Sequence, residues 1–435
     1  MAILAQNSET MPREELAQLQ LERLQSSIFR AYRNVSYYRK QFDALGFSPE
    51  DLQSLEQLSS LPFTTKDDVR NGYPYDLLAV PLREVVRLHN SSWTTGRPIV
   101  CAFTKNDLRH WHDLVARLLS AGGVTHDDVI QMFFLYGLPA GWLGFHGGAE
   151  CIGSSVIPAS AHGIDQQIAI LQDFRSSVIV GTANDAASLT ARIEELALDN
   201  RRLSLRVGFF GGAPWSEEER AHIEQHLSLT ALDYYGFAEI GGAGFAGECP
   251  CKNGLHMAED HFLVEIVDPA TGKLVPDGEE GELVVSTLTK EALPLIRFRT
   301  HDITRVETQP CACGRTLARM ARVSQRTDDL LIVQGHKIYP AQIEAILTDI
   351  ERATPQFQII IERKAGLDEI ELQVELLPSA LADMPKKLAS LEQRICQQLQ
   401  EATGLAPRVR LVEPLTIERF AGQQVLDKRK IKDEG

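Results

Sequence analysis

Short runs of branched apolar residues alternate with helical stripes between residues 129 and 210, and this alternation constrains the chain most. The runs at 129–135, 177–180 and 205–210 each have strand length. Between and around them lie patterns such as Leu108, Trp111, Val115 and Leu118, whose spacing of three to four residues places them on one helix face. Strands that alternate with helices predict an α/β domain built on parallel strands, because a parallel pair needs a crossover helix. Leu21, Leu24, Ile28 and Tyr32 predict an amphipathic amino-terminal helix that packs on this body. Ser216 and Glu219 read as a capping box directly after a Gly211-Gly212 turn, so a helix is expected to start there.

After Phe262 the texture changes to strand-like runs at 263–267 and 282–287, joined by Thr271-Gly272 and Pro276-Asp277-Gly278 turns. A β-rich subdomain is expected over about 245–325. From residue 328 onward the order becomes strand, helix, strand, strand, helix, strand, with Ile370, Leu372, Val374 and Leu376 in strict alternation. The expected division is therefore a large domain over 1–326 and a small α+β domain over 327–435. The basic run Lys428-Arg429-Lys430-Ile431-Lys432 reads as a solvated tail.

With 435 residues and 44% hydrophobic composition, the chain can bury cores for both units. Its 59 acidic against 44 basic side chains leave a net charge of −15, which repels a phosphate backbone and argues against nucleic acid as a partner. The apolar runs, such as 330–333, fall far short of the ~18 residues of a membrane span, and residues 1–10 lack the basic start and apolar core of a signal peptide. A cytoplasmic protein without membrane partners is expected.

Seven cysteines include two Cys-x-Cys pairs, Cys249/Cys251 and Cys311/Cys313. In a reducing compartment such pairs favour a metal over a disulfide. With His256 there are five soft ligands in two clusters, and four complete a closed tetrahedral zinc site of structural type. Cys249, His256, Cys311 and Cys313 are the preferred set, because Cys251 lies in a Pro250-Lys252 turn; plain reduced thiols are the other reading. Cys101, Cys151 and Cys396 read as buried structural thiols.

The segment Ser91-Ser92-Trp93-Thr94-Thr95-Gly96-Arg97-Pro98 concentrates hydroxyls and a glycine between two strand-like runs, a composition that can wrap phosphate oxygens. In chain order there follow Asp233-Tyr234-Tyr235-Gly236-Phe237-Ala238-Glu239, Arg297-Phe298-Arg299-Thr300-His301-Asp302, Arg326-Thr327-Asp328, and Gly335-His336-Lys337-Ile338-Tyr339-Pro340. This ordered set resembles the adenylate-forming enzymes. Finer segments, including Gly254-Leu255-His256, Glu259-Asp260-His261 and Thr287-Leu288-Thr289-Lys290-Glu291-Ala292, resemble the phenylacetate-CoA ligase branch over roughly 61–427.

The resemblance implies an acid:CoA ligase that joins an aryl or small organic acid to AMP from ATP and then passes the acyl group to CoA. It implies an adenylate-forming amino-terminal domain, a carboxy-terminal domain that rotates between the half-reactions, and a homodimer. By it, Ser91, Ser92, Thr94, Thr95 and Gly96 meet the phosphates, and Gly212, Ala213, Asp233, Tyr234, Tyr235 and Gly236 surround the nucleotide. Asp302 accepts from the ribose, Arg326 reaches ribose or phosphate, Glu239 stands near Mg²⁺, and Asp328 is the hinge residue. An isolated turn or cap aspartate would look the same as Asp328. Tyr136, Pro139 and Trp142, together with Ala213, Tyr235 and Gly236, line the acyl pocket.

Two positions depart from the family pattern. Trp93 stands where the phosphate loop has glycine, and Gln423 stands where the adenylation lysine is expected, with Lys428 the other nearby cation. Glutamine donates a hydrogen bond but brings no positive charge to the transferring phosphate. Three readings follow: a working ligase with altered phosphate handling, a relative that uses preformed acyl-adenylate, or a non-catalytic protein that binds nucleotide and acyl groups.

Overall fold

The structure is a computed structural model that describes residues 3–90, 99–134, 143–159, 162–212, 215–328, 331–348, 350, 353–364, 366–376, 385–413, 417 and 425–429. At the amino terminus, a short helix α1 (Gln6–Glu9) precedes the long α2 (Arg13–Asn34). Leu16, Gln20, Leu24, Ser27, Ile28 and Ala31 make its buried stripe, while Leu21 and Tyr32 are half-buried at its edge. The stripe packs on the main body, where Ser27 Oγ donates to the Thr287 carbonyl at 2.8 Å and Gln20 Nε2 to the Glu259 carbonyl at 2.9 Å. Helices α3 (Ser36–Leu45) and α4 (Lys66–Asn71) follow, the second opened by a Thr65/Asp68 capping box.

Strands β1 (Val85–Asn90) and β2 (Val100–Thr104) pair antiparallel with Asn90 opposite Val100. The hydroxyl-rich segment 91–98 joins them and lies outside the described residues. Helix α5 (Lys105–Ala121) starts at a Thr104/Asp107 capping box and buries Trp111, Leu114, Val115 and Leu118. The same Asp107 carboxylate accepts from the amides of Glu291 at 2.7 Å and Ala292 at 3.0 Å, which fixes the 287–292 motif to this helix.

The next stretch builds the main sheet: β3 (Val129–Met132), α6 (Leu143–Ile152), β4 (Ser155–Ile157), α7 (Ile164–Asp173), β5 (Val178–Gly181), α8 (Ala183–Glu195), β6 (Val207–Gly211), α9 (Glu217–Leu227) and β7 (Thr230–Phe237). The strands run parallel in the order β4-β3-β5-β6-β7. Val178, Val180, Val207 and Phe209 are buried, as expected of strands with helices on both faces. Helix α9 carries the expected Ser216/Glu219 box. Helix α6 lies so close to α5 that a β-carbon on Gly144 would come within 2.5 Å of the Trp111 ring, and one on Gly147 or Gly148 would likewise clash with His112 or Val115, which accounts for glycine at all three positions. Cys151 corrects the expectation of a buried thiol: it is exposed, on the last turn of α6 beyond that glycine face. Cys101 is buried and Cys396 half-buried.

Beyond β7 the sheet continues antiparallel through β8 (Gly242–Glu248) and β9 (Leu255–Met257). A second sheet consists of β10 (Phe262–Val267), β11 (Gly281–Thr287), β12 (Phe298–Thr304) and the short β15 (Gln325–Arg326), in that order. Between the last two, β13 (Val306–Glu307) and β14 (Arg319–Met320) return to the edge of the large sheet, giving it nine strands among the described residues. The strands of 245–325 are thus shared between two sheets.

The carboxy-terminal unit comprises the hairpin β16 (Leu331–Val333) and β17 (His336–Ile338), α10 (Pro340–Thr348), β18 (Ala353–Lys364), β19 (Leu367–Leu376), α11 (Pro385–Thr403), β20 (Arg408–Val412) and β21 (Val425–Asp427). Its own core includes Val333, Leu347, Ile359, Ile361, Leu372, Val374 and Ile395. The alternating Ile370, Leu372, Val374 and Leu376 are all buried. The solvated-tail reading fails at its first residues: β21 joins the sheet beside β18, and the Arg429 guanidinium is buried on Asp368 at 3.0 Å and on Asp427. Backbone pairing of Lys428 N with the Ile361 carbonyl at 2.8 Å draws the segment in. The unit meets the large one where Arg363 pairs with Glu219 of α9 at 3.1 Å and Gly366 lies against Ala187 of α8.

Candidate functional site

A cavity of about 390 Å³ lies where the two sheets and the carboxy-terminal unit converge. Gly212, Asp233, Tyr234, Tyr235, Gly236, Asp302, Arg326 and Asp328 line it, so eight residues singled out from four separate sequence segments come together. Its size falls within the range of small-molecule sites. Glycine at 236 is required by the fold itself: a β-carbon there would sit 1.9 Å from the Gly242 carbonyl oxygen, at the irregularity in the antiparallel pairing of β7 with β8.

One charged cluster organises the cavity. Asp302 and Arg326 are directly opposite across the β12/β15 pair, and their side chains form an ion pair. The Tyr235 hydroxyl donates to the other Asp302 oxygen. Arg326 also grips Asp328 through Nε at 2.8 Å and Nη2 at 2.9 Å, and donates to the Thr300 carbonyl at 3.1 Å. Lys66 Nζ completes the group 3.2 Å from Asp328. Burial alone would raise the Asp328 carboxyl, but Arg326 and Lys66 carry it down to about 2. Burial, reinforced by the Asp302 charge, pushes the Tyr235 phenol well up, so the hydroxyl stays a donor.

Asp233 also lines the cavity. Arg322 Nε holds its carboxylate at 2.9 Å, and its amide donates to Glu248 at 2.8 Å. Burial, then the neighbouring Glu248, raises the Asp233 carboxyl, while the charge of Arg220, itself paired with Glu248, pulls it down. Glu239 does not line the cavity. It is buried in the turn after β7, and that turn packs on β2 through the Cys101 thiol, which donates to the Ala238 carbonyl at 3.0 Å. This places Glu239 beside the hairpin whose connection is the 91–98 segment. Ser91, Ser92, Trp93, Thr94, Thr95, Gly96, Ala213, Tyr136, Pro139, Trp142 and Gln423 lie outside the described residues. Lys428 is turned away, with its Nζ 2.8 Å from Glu362.

Sequence reasoning missed Lys66, Arg322, Asp427 and Arg429. Lys66 and Arg322 sit in stretches with no motif of their own, and only the fold brings them to Asp328 and Asp233. Arg429 was hidden by a charge run.

On the far face of β9 from the cavity lies a second cluster. Leu255 lines the cavity, and His256, one residue on, points the other way, as alternation along a strand demands. The ligand atoms of Cys249, His256, Cys311 and Cys313 all lie within 4.8 Å of one another, and all four residues are buried. Cys249 Sγ is 3.8 Å from Cys311 Sγ, and Cys313 Sγ is 3.4 Å from His256 Nε2. Zinc bonded to sulfur at about 2.3 Å and to nitrogen at about 2.0 Å would set tetrahedral edges of about 3.8 and 3.5 Å. The residues therefore fit a closed zinc shell, with Cys251 packed beside it. Burial, then Arg315, lowers the His256 imidazole to about 4, the neutral form a metal needs. Arg315 stands over Cys313 at 3.6 Å and is itself held by Glu9 of α1 at 2.6 Å.

The AMP-binding enzyme family model matches residues 52–289, and the AMP-binding enzyme C-terminal domain matches 335–429. Phenylacetate-coenzyme A ligase of Thermus thermophilus is 40% identical over 97% of this chain and 98% of its own length. The chain belongs to the phenylacetate-CoA ligase family. It is accordingly an AMP-forming acid:CoA ligase. Phenylacetate-coenzyme A ligase of Escherichia coli is likewise 40% identical, over 97% of each chain. Among solved structures, 2-hydroxyisobutyryl-CoA ligase in complex with 2-HIB-AMP and CoA, in its thioester-forming state, superposes with a TM-score of 0.91 at 28% identity, over 98% of this chain and 92% of that one. The same ligase in its postadenylation state gives 0.71 at 27% identity, over 97% and 91%. No helix among the described residues is long and apolar enough to cross a membrane.

Proposed function

We propose that this ligase takes an aryl or small organic acid, holds its adenylate in the 390 Å³ cavity, and presents it to CoA with the carboxy-terminal unit docked as found here. The observation that carries the reading is the Tyr235-Asp302-Arg326 cluster. A carboxylate held by two donors keeps lone pairs for ribose hydroxyls, and the adjacent guanidinium complements a phosphate. Tyr235 and Gly236 supply the flat wall for adenine, while Ser91, Ser92, Thr94, Thr95 and Gly96 handle the outgoing pyrophosphate. Mg²⁺, which screens the phosphates when bound, would be held by Glu239 on the hairpin side. Asp328, clamped by Arg326 and Lys66, is the hinge.

The docked placement of the carboxy-terminal unit agrees with the thioester-forming stage, since the overlap falls from 0.91 to 0.71 when the comparison is the postadenylation state. With Gln423 in place of the adenylation lysine, we further propose that adenylation is the slow half-reaction. A structural zinc on Cys249, His256, Cys311 and Cys313 ties β8 and β9 to the 311–313 loop. Cytoplasmic location and a homodimer complete the proposal. Pyrophosphate release and CoA thioester formation, measured separately over a panel of aryl and short branched acids, test it. Thioester formation from a supplied acyl-adenylate must exceed the ATP-driven rate; an inert protein that binds AMP tightly would overturn it.

A further inference from the structure

Away from the cavity and the cysteine cluster, α8 and α9 bring three metal-competent side chains together at the surface. Glu194 stands on the last turn of α8, and His222 and His226 stand one turn apart on α9. Their ligand atoms all lie within 4.8 Å of one another. The spacing of four residues puts both imidazoles on one helix face, with ring centroids 4.1 Å apart.

The hydrogen bonds of His226 fix its chemistry. Its Nδ1 lies 2.8 Å from the His222 carbonyl oxygen, and its Nε2 lies 2.7 Å from a Glu194 oxygen. A carbonyl oxygen only accepts, so Nδ1 carries the proton and Nε2 turns its lone pair toward a carboxylate. Two acceptors face each other there unless a second proton or a cation stands between them. A backbone carbonyl on one ring nitrogen is also the support that orients metal-bound histidines.

We propose that Glu194, His222 and His226 form a second metal site, specific for divalent ions of the zinc, nickel and copper class. Two imidazoles and one carboxylate suit those ions, whereas Mg²⁺ and Ca²⁺ prefer oxygen-only shells. Three protein ligands leave a fourth position to water, which distinguishes this site from the closed cysteine cluster. Bonds of about 2.0–2.2 Å place neighbouring ligand atoms roughly 3–3.5 Å apart. The Glu194 contact must therefore open by a few tenths of an ångström, and its side chain, 48% exposed, is free to do so. An ion here ties α8 to α9, the helices that carry Ala187 and Glu219 against the carboxy-terminal unit.

The test uses the full-length, untagged protein as purified, titrated calorimetrically with Ni²⁺ and, separately, with Mg²⁺. In the absence of nucleotide, wild type should bind one equivalent of Ni²⁺ in the micromolar range and no Mg²⁺. His222→Ala and His226→Ala should each remove that equivalent, and Glu194→Gln should weaken it about tenfold. Added Co²⁺ should give the visible bands of a nitrogen and oxygen shell without the sulfur charge-transfer band of a thiolate site. All three positions are half-buried or exposed, so the variants should keep the wild-type melting temperature without metal. Equal Ni²⁺ binding by wild type and both histidine variants, or no binding at all, would show a plain histidine-carboxylate pair and overturn the proposal.

Discussion

Replacing Asp302 with Asn tests the proposed nucleotide cavity where its charges are most tightly coupled. In the wild type the carboxylate accepts from Tyr235 and pairs with Arg326, with its side chain only 7% exposed. The amide keeps the shape but loses the charge and one acceptor. Arg326 is not stranded, because Asp328 holds it at 2.8 and 2.9 Å and the Thr300 carbonyl at 3.1 Å. The stability cost should therefore stay near 1–3 kcal/mol, below the ~3–5 kcal/mol of an uncompensated buried charge. On the proposed placement of the ribose, its hydroxyls meet a weaker, uncharged acceptor in the variant, which should reduce AMP affinity by about 1–3 kcal/mol, roughly 5- to 150-fold. Calorimetric titration with AMP, alongside a thermal melt, separates the two effects. A variant that remains folded and binds AMP as tightly as wild type would refute the placement of the ribose on Asp302.

Gln423→Lys should raise ATP-driven adenylation at least ~10-fold, about 1.4 kcal/mol of transition-state stabilisation, and leave thioester formation from supplied acyl-adenylate unaltered; if Trp93→Gly rescues ATP binding and the lysine does little, the loop is the cause instead. Elemental analysis should find about one zinc per chain, and Cys311→Ser should lose it and melt at a lower temperature; metal-free wild type of equal stability would count against the site. His261 is buried and its imidazole is pushed down to about 3 by burial, against the pull of Asp260 and with added repulsion from Arg117. The folded state therefore keeps it neutral while the unfolded chain takes a proton near 6.5, so its contribution is complete above pH 6.5 and is lost as pH falls toward 3, at up to about 1.4 kcal/mol per pH unit. Urea midpoints between pH 7 and 4 should fall less steeply in His261→Gln than in wild type, and equal slopes would refute the assignment.

Local regularities made much of this protein legible before any coordinates. Periodicity predicted α2, α5 and the parallel strands because burial on a helix stripe, or on both faces of a strand, leaves a repeating mark in the chain. The Ser216/Glu219 box marked the start of α9 because capping is a bond between residues three apart. Ordered motifs pointed to Tyr235, Asp302 and Arg326, which the fold then brought to one cavity. Pairwise geometry across long separations was decided by the tertiary structure alone. Lys66 reaches Asp328 across 262 residues, and nothing near either one records it. Arg429 looked like part of a charged tail because its partner Asp368 lies on another strand, and Cys151 looked buried because composition does not say on which side of a packed helix a residue falls. The Glu194, His222 and His226 cluster has the same origin: the two histidines sit a turn apart in the chain, but the carboxylate that completes the set arrives only when α8 packs against α9.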